Sequence, residues 1–409
     1  MSQKVREVTG PVDATLAKQP DAHRTANAPT LERIVYVAPD CTDSAVRKRA
    51  HGFLKLGHQL TSFSFRRDRY NVGGQPDWPN VELGHSQERQ LRARIASIFR
   101  ALWIILKNRR TWRDATLIYC RNLDLALLTL LAKRLTGSRG KFIFEVLDIH
   151  PLLPQRRLKS AVLRWVERRV LARCELLVVS SPGFLREYYG PWQGYTGKSF
   201  LLENKWADAS AFPAARNLTS PLCHPVGAPA PRWIIGWFGN IRCPESLRVL
   251  CELADRLPEQ VLIYLRGCPS LLGPGVLESA LQQHDNVVFE GEYLAPEELS
   301  DIYQQVHFNW CGDFCDGLNS RWLLPNRLYE GGYFGVPAVA VGDYETGRYV
   351  AEHELGITIS EPYVESLYAC FEQLTVEQYR TMRQHIESLP GTLFVADDQL
   401  SRLLETVRA

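Results

Sequence analysis

The 409-residue sequence has no uninterrupted apolar run long enough to span a bilayer, which excludes an ordinary membrane-crossing helix. Its net charge is only +3, from 48 basic and 45 acidic residues, so any polyanion-binding surface has to be local. The basic residues are dispersed and no aromatic-basic recognition motif interleaves them, which makes nucleic acid the least favoured partner. Ten cysteines form no paired Cys-x-x-Cys modules, and Cys311 with Cys315 has no neighbouring His-x-x-x-His. That argues against a zinc ribbon and a disulfide framework, and for a reducing cytoplasmic compartment. A full Gly-x-Gly-x-x-Gly run is missing too, against a dinucleotide dehydrogenase. Residues 1–30 are polar and lack the basic-then-apolar order of a signal peptide; they are expected to be a disordered leader.

What is present is the balance of a folded chain: 45% hydrophobic, 23% charged and 10% aromatic residues, over a length that suits two cores rather than one. Short apolar runs of buried-strand type alternate with helical periodicity. Ile34–Val37, Gln59–Phe65, Thr116–Cys120, Lys141–Val146 and Leu176–Val179 read as strands, with helices from Ser44, over Asp124–Leu135 and over Leu158–Ala172. Ser44 is the expected cap of the first helix and Gly57 its left-handed end. The alternation resumes at Trp233–Phe238, Val261–Leu265, Val287–Glu290, Val306–Trp310 and Val336–Val341, with helices from Pro244, over Pro296–Gln305 and over Pro325–Phe334. Repeated alternation predicts parallel sheets, and so an α/β chain of two Rossmann-like doubly wound domains. The expected boundaries are 31–205 and 232–385, joined by a Pro- and Ala-containing linker over 206–231 and followed by a helical tail over 386–409.

Ligands of open parallel sheets bind in the crevice outside the carboxyl ends of the strands. In the first domain those positions hold Asp40, Asp43, Arg121 and Asn122, expected to meet an acceptor, and Asp148 with His150, expected to orient or deprotonate it. In the second they hold Gly239, Asn240, Arg242 and Arg266. The glycine lets backbone approach a ligand, and the arginines and helix-end amides suit an anion such as a diphosphate.

The segment Leu324-Pro325-Asn326-Arg327-Leu328-Tyr329-Glu330, followed by Gly335-Val336-Pro337-Ala338-Val339, resembles the donor-site signature of GT-B glycosyltransferases, especially glycosyltransferase family 4. The resemblance implies that Glu330 holds the donor ribose through two hydrogen bonds, with Asn326 and Arg327 beside it. It spans nearly all of Trp233–Ile359. Arg121-Asn122-Leu123-Asp124 and Glu145-Val146-Leu147-Asp148-Ile149-His150-Pro151 look like a subgroup of bacterial exopolysaccharide assembly, including succinoglycan-type enzymes. The chain departs from the family at one point: the glutamate pair spaced by seven residues is not reproduced, because Trp322 stands eight before Glu330. Asp313, Asp316, Asn319 and Arg321 are the candidate replacements for contacts to the donor sugar. No Asp-x-Asp pair stands at a strand end, so no metal or other cofactor is expected. The implied activity is hexosyl transfer from a nucleotide-sugar, expected to be a UDP-sugar, to a saccharide or lipid-linked acceptor. Retention or inversion stays open, as do two rival readings, a nucleotide-sugar epimerase and a non-catalytic nucleotide-sugar-binding subunit.

Arg92–Arg113 combines Ile95, Ile98, Phe99, Leu102, Trp103, Ile105 and Leu106 at largely helical spacing with seven basic residues. It reads as a crossover helix packed on the first sheet, as a contact with an anionic inner-membrane surface through Trp112 and the arginines, or as both on opposite faces.

Overall fold

The computed structural model describes residues 31–67, 74–85, 91–206, 233–269, 272–396 and 398–409, without the side chains of 91–96. The expected leader and, Trp206 apart, the expected linker lie outside the described residues. Two parallel sheets are present. The first runs in the order β3-β2-β1-β4-β5-β6-β7 and the second β10-β9-β8-β11-β12-β13. The first comprises β1 Arg33–Ala38, β2 Gln59–Arg66, β3 Asn80–His85, β4 Leu117–Arg121, β5 Lys141–Val146, β6 Leu176–Val179 and β7 Ser199–Leu201. The second comprises β8 Trp233–Asn240, β9 Val261–Cys268, β10 Val287–Phe289, β11 Phe308–Trp310, β12 Ala338–Val341 and β13 Gly356–Ile359. Every described strand pair is parallel, so all carboxyl ends of one sheet lie along one edge.

Alternation within single strands explains why both faces of each sheet are covered. Ile34, Tyr36 and Ala38 enter one core cluster while Val35 and Val37 enter the other. In β8, Trp233, Ile235 and Trp237 face one way, and Ile234 and Phe238 the other. Helix Gln399–Arg408 closes the chain by laying Leu403, Leu404 and Val407 into the cluster under β1. Arg408 Nε then meets Glu32 at 2.9 Å.

Several boundaries differ from the expectation for identifiable reasons. Strand β3 has no apolar run; only Leu83 is buried, and Asn80 Oδ1 fixes it by accepting from Ser62 and Ser64 hydroxyls at 2.6 and 2.8 Å. Strand β13 starts at Gly356 with φ +146°, where a Cβ would lie 2.2 Å from the Ala338 carbonyl, so only glycine allows the pairing with β12. The first helix, Ser44–Lys55, is capped by Asp43 rather than Ser44: its carboxylate accepts from Ala45 and Val46 N–H at 2.8 and 3.3 Å. Strand β8 runs through Gly239 and Asn240, which therefore end a strand instead of forming a loop.

The basic segment is two helices, Leu91–Lys107 and Arg109–Asp114. Ala101, Ile105 and Trp112 are buried, and Trp112 meets Phe63 edge to face at 5.5 Å. Trp112 therefore belongs to the core and cannot face a bilayer, which corrects that part of the expectation. No helix among the described residues is long and apolar enough to cross a membrane.

Candidate functional site

Residues Glu32–Ala409 form one compact unit, and its two sheets present carboxyl edges whose loops meet in a cleft. On the second-sheet side, Asn309 of β11 donates to the Arg327 carbonyl at 2.6 Å and so anchors helix Asn326–Tyr333. That helix carries Glu330 inward. Glu330 Oε2 accepts the Tyr303 hydroxyl at 3.0 Å, and the Tyr303 ring stacks on Phe334. Burial raises the Glu330 pKa, while the Tyr303 hydrogen bond and the Lys48 and Arg327 charges oppose the rise. Arg327 donates from Nη2 to the Gly312 carbonyl at 3.2 Å, and its Nε is buried without a partner. Gly239, at φ +93°, opens the end of β8 toward this cluster: the nearest atom to a built Cβ would be the Tyr293 hydroxyl at 3.8 Å. Next to it a Cβ on Gly267 would lie 1.9 Å from the Gly239 carbonyl, so the close approach of β8 and β9 depends on that glycine.

Lys48 enters the cluster from the first domain, on helix Ser44–Lys55. Its Nζ donates to the Asn204 carbonyl at 3.1 Å, and Asn204 Nδ2 in turn donates to Asn326 Oδ1 at 2.6 Å. Burial, then repulsion from Arg49, pulls the Lys48 pKa down to about 7, while Glu330 and Glu145 pull it up. A lysine on the first sheet's first helix and a carboxylate on helix Asn326–Tyr333 of the other sheet thus interact across the cleft.

A second group joins the domains directly. Asn319 Oδ1 accepts the Ile149 N–H at 2.8 Å, and its Nδ2 donates to Asp148 at 3.0 Å and Asp316 at 2.7 Å. Asp148 keeps solvent contact within the cleft, yet enclosure by protein and then the neighbouring Asp316 raise its pKa against the Asn319 hydrogen bond. Ser181 donates to the Trp322 carbonyl, and Arg186 pairs with Glu345 at 2.5 Å. Trp322, which stands where the family pattern has an acid, packs with Tyr188 in the first domain's core.

Other expected site residues are engaged elsewhere. Arg242 grips Asp313 Oδ2 through Nε and Nη2 at 3.0 and 2.7 Å and lies 3.9 Å from Asp316. Arg266 is held by the Gly291 and Glu292 carbonyls and by Glu298. Arg321 lies over the Tyr344 ring, 5.3 Å from its centre. His150 Nδ1 accepts the Leu152 N–H at 3.2 Å, the geometry of a turn residue. Asp40 accepts from Thr42 and from the Arg67 N–H, Asp43 caps its helix, and Asn122 takes φ +68° at the start of helix Leu123–Thr136. Arg121 is buried against Glu145 at 3.3 Å, opposite Arg49, which meets the same carboxylate at 2.5 Å. Burial alone would push the Glu145 pKa up, but the two arginines outweigh it and hold the pKa down. The sequence reading missed Lys48, Tyr293 and Tyr303. Only Lys48 carried a signal, a cation one turn into the helix that follows β1. A separate groove of about 580 Å³, lined by residues including Ile357, Cys370 and Met382, contains none of these residues.

No family model matches the chain. Among solved structures, it resembles sucrose-phosphate synthase from Thermosynechococcus elongatus with a TM-score of 0.67 at 13% identity, covering 92% of this chain and 98% of the other. It resembles Anabaena HepE in complex with UDP with a TM-score of 0.66 at 13% identity, covering 92% and 99%. Two parallel sheets with the cleft at their carboxyl edges, in this company, define the GT-B fold of glycosyltransferases. The succinoglycan biosynthesis protein ExoL of Rhizobium meliloti (strain 1021) is 32% identical over 362 residues, 88% of this chain and 89% of that protein. The chain belongs to the ExoL family of succinoglycan biosynthesis proteins.

Proposed function

We propose that this protein is a glycosyltransferase of exopolysaccharide synthesis that moves a hexose from a UDP-sugar to a saccharide acceptor. The observation that carries the reading is Glu330, an enclosed carboxylate midway along the helix Asn326–Tyr333, ringed by Tyr303, Arg327 and Lys48. A carboxylate so placed can accept two hydrogen bonds from a ribose, and the cations beside it can balance a diphosphate leaving group. HepE, with the same fold, is known in complex with UDP, and ExoL works in succinoglycan biosynthesis. Both support the donor class and the pathway type. In this reading Asp148, held by Asn319 on the opposite wall, orients the acceptor hydroxyl. Arg242 keeps the Asp313 loop in place.

The acceptor is lipid-linked in this reading, and the protein rests on an anionic membrane surface. Helices Leu91–Lys107, Leu123–Thr136 and Leu158–Leu171 pack side by side. They leave Phe99, Trp103, Leu131, Leu158, Val162 and Trp165 exposed, Leu158 by 88%. Lys107 lies 3.5 Å over the Trp103 ring and Arg169 4.8 Å over Trp165, so apolar and cationic groups alternate as an anionic interface requires. The test is transfer from a panel of labelled UDP-hexoses to lipid extracts from an exopolysaccharide-producing cell. Label entering the lipid fraction with one donor supports the reading; donor binding with no transfer to any lipid or saccharide acceptor contradicts it in favour of a non-catalytic subunit.

A further inference from the structure

Two loops of the second sheet meet at a pair of cysteines that the donor-site chemistry does not use. Cys243 begins helix Pro244–Arg256, and its sulfur accepts the Ser246 N–H at 3.4 Å and the Phe314 N–H at 3.3 Å. Cys315 is exposed on the loop after β11, with its thiol 3.1 Å from Asp313 Oδ1. The two sulfurs and the Asp313 carboxylate all lie within 4.8 Å of one another. Asp313 is already occupied by Arg242, Ser320 and the Cys315 N–H. A guanidinium that close disfavours a metal cation, so the group is a thiol pair and not a metal centre.

We infer that Cys243 and Cys315 are a redox-sensitive pair whose disulfide ties the β8 and β11 loops together and weakens the donor site. The Cys315 hydrogen bond and then the two backbone amides, acting against burial, bring the Cys243 thiol down to about 6, whereas the Cys315 thiol is raised. The two thiols share one proton across their hydrogen bond; Cys315, the exposed one, is the entry point, and the enclosed Cys243 resolves the mixed disulfide. With a low-molecular-weight disulfide RSSR, Cys315 passes its proton to the hydrogen-bonded Cys243 sulfur and attacks one sulfur as the thiolate, giving Cys315–S–S–R and RS⁻. Cys243 gives that proton to RS⁻ and, as a thiolate, attacks the Cys315 sulfur, forming Cys243–S–S–Cys315 and expelling a second RS⁻. Two cysteines are oxidised by two electrons in all, and RSSR is reduced to one thiol, which carries the single proton of the pair, and one thiolate, which solvent protonates. The bond removes the Cys315 thiol from Asp313, the carboxylate that positions Arg242. It also fixes the loop carrying Asn319, which links the two domains through Ile149 and Asp148.

The test treats the full chain with oxidised glutathione and maps thiols by non-reducing peptide mass spectrometry. The expected result is a Cys243–Cys315 cross-link without retained glutathione and a severalfold weaker UDP-sugar affinity that dithiothreitol restores. In Cys243→Ser, whose hydroxyl still caps the helix, glutathione is expected to stay on Cys315. Retained glutathione on Cys315 of the wild-type chain, no modification of either thiol, or stoichiometric Zn²⁺ that is lost in Cys315→Ser overturns the inference. The affinity readout rests on the glycosyltransferase reading, but the cross-link is read by mass and fails or stands without it.

Discussion

Replacing Lys48 with methionine probes the meeting of the two domains, because methionine keeps much of the apolar stem while removing the charge and its hydrogen bond to the Asn204 carbonyl. With a pKa of about 7, Lys48 is roughly nine-tenths charged at pH 6 and about one-tenth charged at pH 8. If only the charged form meets the diphosphate, the apparent Kd scales inversely with that fraction and rises about tenfold between those pH values. A UDP-sugar has both phosphates esterified and no titrating proton in this range, so the slope reports the protein. Titration calorimetry of the wild-type chain should therefore show weakening affinity as pH climbs through 7. K48M should bind weakly and independently of pH. The same group shapes stability: between about 7 and its ordinary 10.5 the unfolded chain holds the Lys48 proton and the native chain does not, so stability rises with pH there. K48M should flatten that rise. A wild-type affinity that does not change from pH 6 to pH 8, or a pH slope surviving in K48M, refutes the reasoning.

Glu145→Gln leaves Arg49 and Arg121 buried without their carboxylate and should cost about 3–5 kcal/mol of unfolding free energy, measured by urea denaturation. Since the Glu145 pKa is depressed in the folded chain, its contribution is full above the unfolded value of about 4.3 and is lost as pH falls through the folded one, so E145Q should differ least from wild type in acid. Asp148→Ala is expected to keep donor affinity within about twofold and to lower transfer by about a hundredfold or more, the usual contribution of a positioned acid or base; equal losses in both would place Asp148 in donor binding instead. Trp165→Glu and Leu158→Glu should each weaken sedimentation with phosphatidylserine vesicles by about tenfold, while leaving binding to neutral vesicles low.

Most of the strands legible in the sequence are buried on both faces; the edge strand Val287–Phe289 is an exception, legible from its apolar run alone. Strands β1, β4, β5, β6 and β8 read as continuous apolar runs because helices cover both sides of their sheets. Strands β3, β7 and β13 were not legible, since β3 and β7 sit at a sheet edge with few buried side chains and β13 depends on one glycine whose reason is the Ala338 carbonyl of another strand. The Pro325–Glu330 segment stands out in the sequence because its residues sit together on one helix, Asn326–Tyr333. Among the polar residues after first-domain strands, Asp40, Asp43, Asn122 and His150 are types that shape turns and cap helices, and here they do so. Lys48 was under-read because Glu330 and Asn204, which define it, are remote in sequence. Arg121 looked like a loop cation, and only its pairing with Glu145 on the neighbouring strand shows that it is buried.

The most direct test of the central claim is ligand-induced thermal stabilisation with UDP-, GDP-, dTDP- and ADP-sugars, comparing wild type with Glu330→Gln. Glutamine keeps an acceptor for Tyr303, so the fold is preserved while the charge is removed. A ligand that binds only the folded state raises its stability by mass action, and losing two charge-assisted ribose contacts should weaken binding by about 2–4 kcal/mol. The account expects a selective shift with UDP-sugars that E330Q loses while its own unliganded midpoint stays near that of wild type. An equal UDP-sugar shift in both proteins, or no shift with any nucleotide-sugar, contradicts the assignment of this cleft as the donor site.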